Sequence, residues 1–280
     1  MKFYKKILVS ITVLFMSLSF IGCSKIDSIK IKSGLKNNDF EYMKSEKVKQ
    51  IVIQSTRDKG FRFVVTNKDV IKETYDILSS GKKVNSKSSL EPDYIFEVHE
   101  VGDRVHHFNY VAGLDKKEGG NLYNDEKIYI ISSRIDNDIL NNFENIRKPR
   151  NFKKIYYESI LNTIDKYLEN NKEASSKTIA LNLKDDIDIQ KFILSSDLEE
   201  FKNTLKSKYP NISITEKTNN SDIVLNIDTE GYKSTVYKSI ITFSDSKGKE
   251  KPKIYYVIGS YGSSRNWDIK IHEDKKPKNF

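Results

Sequence analysis

The N-terminal segment limits what this chain can fold into more than any other feature. Three lysines lie among the first six residues, and an uncharged, mostly apolar run follows from Ile7 to Gly22. A charged start before a short apolar run is typical of a secretory signal. The run is also shorter than the roughly 20 apolar residues that a membrane-crossing helix needs. We therefore predict that residues 1–22 are removed and take no part in the folded protein.

The end of the apolar run carries a second signal. Residues 20–23, Phe-Ile-Gly-Cys, resemble a lipobox, in which a small residue precedes a cysteine that receives diacylglycerol. Phe20 stands where that pattern usually has an aliphatic residue. The resemblance implies cleavage between Gly22 and Cys23 and a lipid anchor on Cys23 at the outer face of the cell membrane, where two acyl chains give stable attachment. The alternatives are an ordinary signal peptide cut elsewhere and an uncleaved N-terminal anchor.

Cysteine count and charge narrow the class of protein. Cys23 is the only cysteine, so its acylation leaves no thiol for a disulfide, and core packing alone must stabilise the exported part. The net charge is +9, and removing residues 1–22 takes away three lysines and no acidic residue, which leaves +6. The lysines are mixed with 39 acidic residues, which suits a solvated surface beside an anionic bilayer. We therefore expect no nucleic-acid partner.

The exported part, about 255 residues, is long enough for two domains. Residues 23–46 are polar and lack a sustained apolar period, so we predict a tether there. The next 101 residues, 47–147, alternate in strand-like runs around one helical stripe that begins after Asn67 and ends at Gly81. The predicted strands are 48–53, 61–65, 94–101, 105–111 and 127–132, and a closing helix begins at Ile135.

This first unit resembles the YhfM-like domain of bacterial lipoproteins. The matching segments are the helix DVIKETYDILSSGKKV, the Glu91-Pro92-Asp93-Tyr94 start of a strand, a hairpin ending near FNYVAGL, the bend at Gly119 to Leu122, and the strand-to-helix end IYIISSRIDNDILNNF. The resemblance implies a fold and a location. It supplies no catalytic residues.

A second unit, residues 152–280, follows the charged segment around Pro149, which disfavours helix in the residue before it. Helical stripes at 155–167 and 189–209 precede a run of strands. The predicted strands are 178–183, 212–215, 223–227, 234–243, 254–258 and 267–271. Helices beside a run of antiparallel strands indicate an α+β fold, so we predict two small α+β domains, each with an antiparallel sheet and helices packed on one face.

Histidines are the side chains that best suit a metal. A hairpin turn at residues 101–104 predicts that two strands pair antiparallel across it. A two-residue loop places His99 opposite His106, and a three-residue loop places it opposite His107, so two imidazoles would lie within reach of one ion. The spacing matches no recognised metal motif, and a solvated strand face is the competing interpretation. We assign no metal site and keep these three histidines as candidates.

Two further segments resemble known motifs without matching them. The Gly- and Ser-rich residues 259–264 lack the Gly-Lys-Ser/Thr of a phosphate loop and lie between two strands, so we predict a hairpin loop. Residues 185–188, Asp-Asp-Ile-Asp, begin like a calcium loop but lack its glycine and final glutamate. They suit a helix N-terminus instead.

Together these features predict a lipid-anchored binding or interaction module of the cell envelope, without catalytic activity and without a cofactor. Its partners are the membrane, through the lipid on Cys23, and an envelope protein or cell-wall component. The alternative is a metal-dependent envelope enzyme or metal-binding protein that uses His99 with His106 or His107. A third reading is an accessory subunit of a membrane partner.

Overall fold

A computed structural model describes residues 30–31, 33–44, 46–114, 119–140, 148–217, 220–278 and 280 of the chain. Within this part, thirteen strands form two sheets, one in each predicted unit, and helices pack against both. The predicted α+β class is therefore confirmed. Each sheet has its own cluster of buried apolar side chains.

The first sheet contains seven strands among the described residues, in the order β2-β1-β4-β5-β6-β7-β3. All its strand pairs are antiparallel. The strands are β1 (Val48–Ser55), β2 (Arg62–Val65), β3 (Lys82–Val84), β4 (Tyr94–Glu100), β5 (Val105–Tyr110), β6 (Leu122–Tyr123) and β7 (Ile128–Ile130). Strands β6 and β7 are short, and a π-helical segment, Ile135–Leu140, follows them.

Helix α1 (Lys68–Ser79) packs on one face of this sheet, as its apolar spacing predicts. The Asn67 side chain accepts hydrogen bonds from the backbone N–H groups of Asp69 and Val70, which caps the helix N-terminus. Gly81 follows the helix where a Cβ atom would lie 2.8 Å from Ile131. Glycine is therefore needed because the chain passes close to the neighbouring strand.

The C-terminal part of the predicted tether packs on the first sheet. Phe40 is fully buried and Met43 is 3% exposed, and both belong to the first core. Asn37 donates from its backbone to the Ser79 carbonyl and from its side chain to the Gly81 carbonyl, which attaches the segment to the end of α1. Two apolar side chains in a polar stretch are enough to bury this segment, so residues 37–44 are part of the fold.

The second sheet contains six strands in the described part of the chain, in the order β13-β12-β11-β10-β8-β9. This sheet is mixed, whereas we predicted an antiparallel one: β8 runs parallel to both β10 and β9. The strands are β8 (Ile179–Asn182), β9 (Ile212–Ile214), β10 (Ile223–Lys233), β11 (Val236–Asp245), β12 (Lys253–Tyr261) and β13 (Trp267–Glu273).

The two long helices of the second unit lie differently with respect to its sheet, and the one between β8 and β9 accounts for the parallel pairing of those strands. Helix α2 (Phe152–Asn170) packs across β11, β12 and β13, and helix α3 (Ser195–Lys208) connects β8 to β9. A helical crossover returns the chain to the end of the sheet where it started, so the next strand runs parallel. The alternation of apolar residues does not distinguish the two directions of a short strand.

The connection between the units is attached to the second sheet. The Arg150 backbone N–H donates to the Ser234 carbonyl over 3.0 Å, and the Arg150 carbonyl accepts from the Trp267 indole N–H over 2.8 Å. Asn151 then adopts a left-handed backbone (φ 50°) before α2 begins. The charged segment around Pro149 therefore ends in ordered contacts, and Arg147, in the same segment, lies outside the described residues.

Candidate functional site

A groove of about 1000 Å³ runs between the two units. One wall comes from the loop before β4 and from Gly113, after β5; the other comes from α3 and the start of α2. Most of its side chains are polar. The lining residues are Ser88, Ser89, Leu90, Gly113, Lys153, Ser196, Asp197, Glu199, Glu200, Asn203, Thr204, Ser207 and Lys208.

A buried carboxylate joins the two walls of this groove. Asp93 is 2% exposed and accepts three hydrogen bonds, from the Arg57 guanidinium (2.6 Å), the Ala112 backbone N–H (2.9 Å) and the Ser195 backbone N–H (2.8 Å). Ser195 belongs to the second unit, and the other two residues belong to the first. Burial raises the pKa of Asp93, and the positive charge of Arg57 opposes that rise.

The sequence around Asp93 explains its position. Pro92 precedes it, and Tyr94 begins β4, so the carboxylate lies at the end of the sheet where β4 starts and β5 ends. Its contact with Ser195 satisfies one of the N–H groups that a helix leaves without an internal partner at its first turn. Negative charge is also favourable there because of the helix dipole. Asp93 therefore acts as the N-terminal cap of α3 across the interface.

Apolar and polar contacts surround this carboxylate. Leu194 packs against the first core, and the ring of Phe192 lies 6.3 Å from the ring of Phe61 in the first unit. The Ser196 hydroxyl donates to the Ala112 carbonyl over 3.3 Å. The two units therefore meet through a packed interface beside the groove.

Charged side chains on the α2–α3 wall are paired with each other. The Lys153 ammonium lies 3.2 Å from the Asp197 carboxylate and 2.5 Å from that of Glu200. The hydrogen bond to Glu200 raises the pKa of Lys153. Lys208, at the far end of α3, pairs with Asp165 over 2.6 Å. The groove thus presents hydroxyl, amide and mutually neutralised charged groups.

Tyr157 lies beneath this wall, in a smaller cavity of about 240 Å³ between α2 and α3. Its ring stacks on Phe201 with centroids 4.4 Å apart. Its hydroxyl is buried and has no hydrogen-bond partner among the residues that the structure describes. Burial raises the pKa of Tyr157, so the hydroxyl remains protonated and able to donate.

The histidine hairpin has neither of the predicted registers. The Glu100 N–H donates to the Arg104 carbonyl over 2.8 Å, so the loop consists of residues 101–103. His99 therefore pairs with Val105 and His106 with Val98, and the predicted pairing of His99 with either histidine is wrong. A three-residue loop ends in a left-handed residue, and Asp103 (φ 62°) takes that conformation instead of Gly102.

This register separates the candidate ligands. Side chains alternate along a strand, so His106 lies on the opposite sheet face from His99 and His107. His106 Nε2 lies 2.6 Å from a Glu100 oxygen, whereas His99 Nε2 lies 3.2 Å from a Glu97 oxygen. No group of three or more His, Cys, Asp or Glu side chains in the described ranges is placed to hold a metal ion.

The Gly- and Ser-rich segment and the Asp-rich segment belong to the secondary structure of the second unit. Residues 259–261 belong to β12, and β12 and β13 form the predicted hairpin around residues 262–266. Asp186 precedes a short 3-10 helix, Ile187–Phe192, and its carboxylate accepts from the Thr229 hydroxyl over 2.8 Å.

The predicted cleavage and lipid sites, Gly22 and Cys23, lie outside the described residues. None of the helices that the structure describes is long and apolar enough to cross a membrane.

Sequence reasoning did not identify the interface residues. Asp93 appears in the sequence only as part of a strand start, and Ser195 only as part of a helical stripe. The helix start Ser195-Ser196-Asp197 carried the usual N-cap residue types, but the capping carboxylate comes from a residue 102 positions away. No local pattern could have indicated that contact.

Comparison with known proteins supports the family resemblance of the first unit. Residues 44–149 match the model of a family described as YhfM protein. No curated protein matches the chain, and no solved structure matches it. The matched range contains β1 to β7 and α1, together with Asp93 and Arg57 of the interface. The first of the two units is therefore a YhfM-like domain.

Proposed function

We propose that the protein is a lipid-anchored, non-catalytic binding module of the cell envelope, and that the groove between its two units holds the partner. The observation that carries the proposal is the groove of about 1000 Å³ whose walls are joined by Asp93. Localisation rests on the signal-like segment and on the resemblance of residues 20–23 to a lipobox.

The lining of the groove favours a particular kind of partner. Pockets for small molecules are mostly apolar, with a few placed polar groups. Most of the residues that line this groove are serine, threonine, asparagine or charged residues, so it offers many polar groups instead of a few. A polar segment of an envelope protein fits such a surface, since its backbone and side chains offer many hydrogen bonds.

Preorganisation supports the same proposal. The Asp93 carboxylate is hydrogen-bonded to residues from both units, and Leu194 packs on the first core, so the two walls are already held together. A site that is formed in the free protein loses less conformational entropy when it binds. The partner would therefore meet a groove that needs little rearrangement.

Co-purification tests this proposal. The membrane-anchored protein is isolated with its partners in three forms: the unmodified chain, Asn203→Trp and Lys206→Trp. Both residues are exposed on α3, but only Asn203 lines the groove. We expect a partner protein to be lost from Asn203→Trp and kept by Lys206→Trp. Equal capture by all three forms, or a cell-wall polymer in place of a protein, would contradict the proposed partner.

A further inference from the structure

Lysines cluster at one end of the second sheet, away from the residues that line the groove. The β11–β12 loop, residues 246–252, and the segment after β13, residues 274–278, lie side by side there. The Asp274 backbone N–H donates to the Ile254 carbonyl over 2.8 Å, and Tyr255 pairs with Glu273. We call residues 245–253, 274–278 and 280 together the lysine patch.

The lysine patch is strongly basic. Its seven lysines and three acidic residues give a net charge of +4 within fifteen residues. Six of the seven are exposed, and none makes an ion pair with another residue in the described part of the chain. The lysines are Lys247, Lys249, Lys251, Lys253, Lys275, Lys276 and Lys278.

Two of the acidic residues in the patch have structural roles. The Asp245 carboxylate accepts from the Lys249 backbone N–H over 2.7 Å and lies at the turn of the hairpin. The Asp274 carboxylate lies 3.4 Å from the Ile254 backbone nitrogen, which donates to it. These two carboxylates face the backbone of the patch, so they are held by its turns.

Aromatic rings accompany the lysines. The rings of Phe280 and Tyr256 lie 5.2 Å apart, and both residues are partly exposed. The Lys276 ammonium lies 5.0 Å from the Phe280 ring centre. Lysines beside partly exposed aromatic rings are the combination found at the polar boundary of a bilayer, where rings insert among headgroups.

We infer that the lysine patch binds the surface of an anionic phospholipid membrane, as a contact separate from the groove and from the lipid on Cys23. The lysines lie on an exposed loop and tail, where their charges suit an extended layer of phosphates. An anionic surface contributes about 1 kcal/mol for each lysine near it, or about fivefold in affinity.

Vesicle binding tests the inference without the lipid anchor. The polypeptide from Ser24 to Phe280 contains every described residue and lacks Cys23. We expect it to sediment with vesicles that contain phosphatidylglycerol, to remain free of pure phosphatidylcholine vesicles, and to dissociate as salt is raised. Absence of binding to the anionic vesicles at low salt would overturn the inference.

Matched variants test whether the patch, and not net charge, is responsible. One variant replaces four lysines of the patch with glutamine: Lys247, Lys249 and Lys251 in the loop and Lys253 at the start of β12. The control replaces four exposed lysines of the first unit, Lys49, Lys59, Lys82 and Lys83, and so loses the same charge. At about fivefold for each of the four lysines, we expect the patch variant to bind on the order of 600-fold more weakly, and the control only a few-fold more weakly. Equal losses would overturn the inference, and circular dichroism checks that both variants are folded.

A third arm distinguishes a membrane from a soluble phosphate polymer. Phe280→Ser should weaken binding to anionic vesicles several-fold, because a ring can insert only into a bilayer. Binding of inorganic polyphosphate should not change in this variant. If polyphosphate binds as tightly as the vesicles and Phe280→Ser affects neither, the patch recognises soluble polyanions and the membrane assignment is wrong.

Discussion

The Asp93 carboxylate of the first unit accepts a hydrogen bond from the Ser195 backbone N–H at the start of α3 in the second unit, over 2.8 Å. A side chain from one unit thereby caps a helix of the other. Because α3 also forms a wall of the groove, the contact that holds the units together also positions the surface that we propose for binding.

Loss of this contact should destabilise the protein. Asp93→Ala leaves the Arg57 guanidinium and the Ser195 N–H without their shared acceptor at a buried position. Removing one partner of a buried ion pair costs about 3 kcal/mol or more, so the midpoint of urea unfolding should fall. Asp125→Ala, at an exposed position, should change the free energy of unfolding by less than about 0.5 kcal/mol. Similar effects of both variants would show that Asp93 has no special role.

Asp186 should make stability depend on pH. This residue is 1% exposed, and burial raises its pKa from 3.8 to about 6, although hydrogen bonds from Thr229 oppose the rise. The folded state therefore holds a proton that the unfolded state releases between these values. The contribution of Asp186 to the free energy of unfolding should therefore fall by up to about 3 kcal/mol as pH rises from about 4 to about 6. Above that pH the contribution should stay constant.

Asp186→Asn separates this contribution from those of other carboxyl groups. The amide cannot ionise, and its oxygen can still accept from Thr229. The free energy of unfolding of the variant, minus that of the unmodified protein, should therefore increase between pH 4 and pH 6. Denaturant unfolding at several pH values measures it. A difference that does not vary with pH would mean that Asp186 ionises with an ordinary pKa.

Phe40 should contribute to stability as a core residue. It is fully buried against Phe108 and Tyr129, whose ring centres lie 5.5 and 5.1 Å away. Phe40→Ala should lower the free energy of unfolding by about 3 kcal/mol, the usual cost of such a cavity. Leu35→Ala, at a side chain 68% exposed, is the control and should have little effect. Equal free energies of unfolding for the two variants would show that the segment around Phe40 does not pack on the fold.

The anchor has its own test. Acylation requires the thiol, so Cys23→Ser should release the protein from membranes or leave the signal segment uncleaved. Fractionation of cells into membrane and soluble parts, with the mass of the protein in each, measures both outcomes. Unchanged membrane retention together with normal cleavage would contradict the lipid anchor.

Local patterns predicted much of the fold. The apolar spacing after Asn67 indicated α1, and the alternation in residues 94–110 indicated the β4–β5 pair. These two patterns are local, because each depends only on which face of a short segment is buried. The predicted register of that pair was wrong, because the left-handed backbone of Asp103, and not the position of Gly102, determines where the turn closes. Glycine content alone does not reveal which residue takes the left-handed conformation.

Features that depend on distant contacts could not be predicted. The parallel direction of β9 depends on where α3 returns the chain. Phe40 is buried because a sheet formed by later residues covers it. The groove needs Asp93 and Ser195 together, and nothing near either residue in the sequence indicates the other. The candidate site was therefore accessible only from the three-dimensional structure.

Site-specific photo-crosslinking in intact cells tests the central claim most directly, because it reports contact at the groove itself. A photoreactive amino acid replaces Asn203, inside the groove, or Lys206, one turn away on α3 and outside it. The account predicts a discrete crosslinked protein from position 203 and none from position 206. No adduct from position 203, or the same adduct from both positions, would contradict a binding site in the groove.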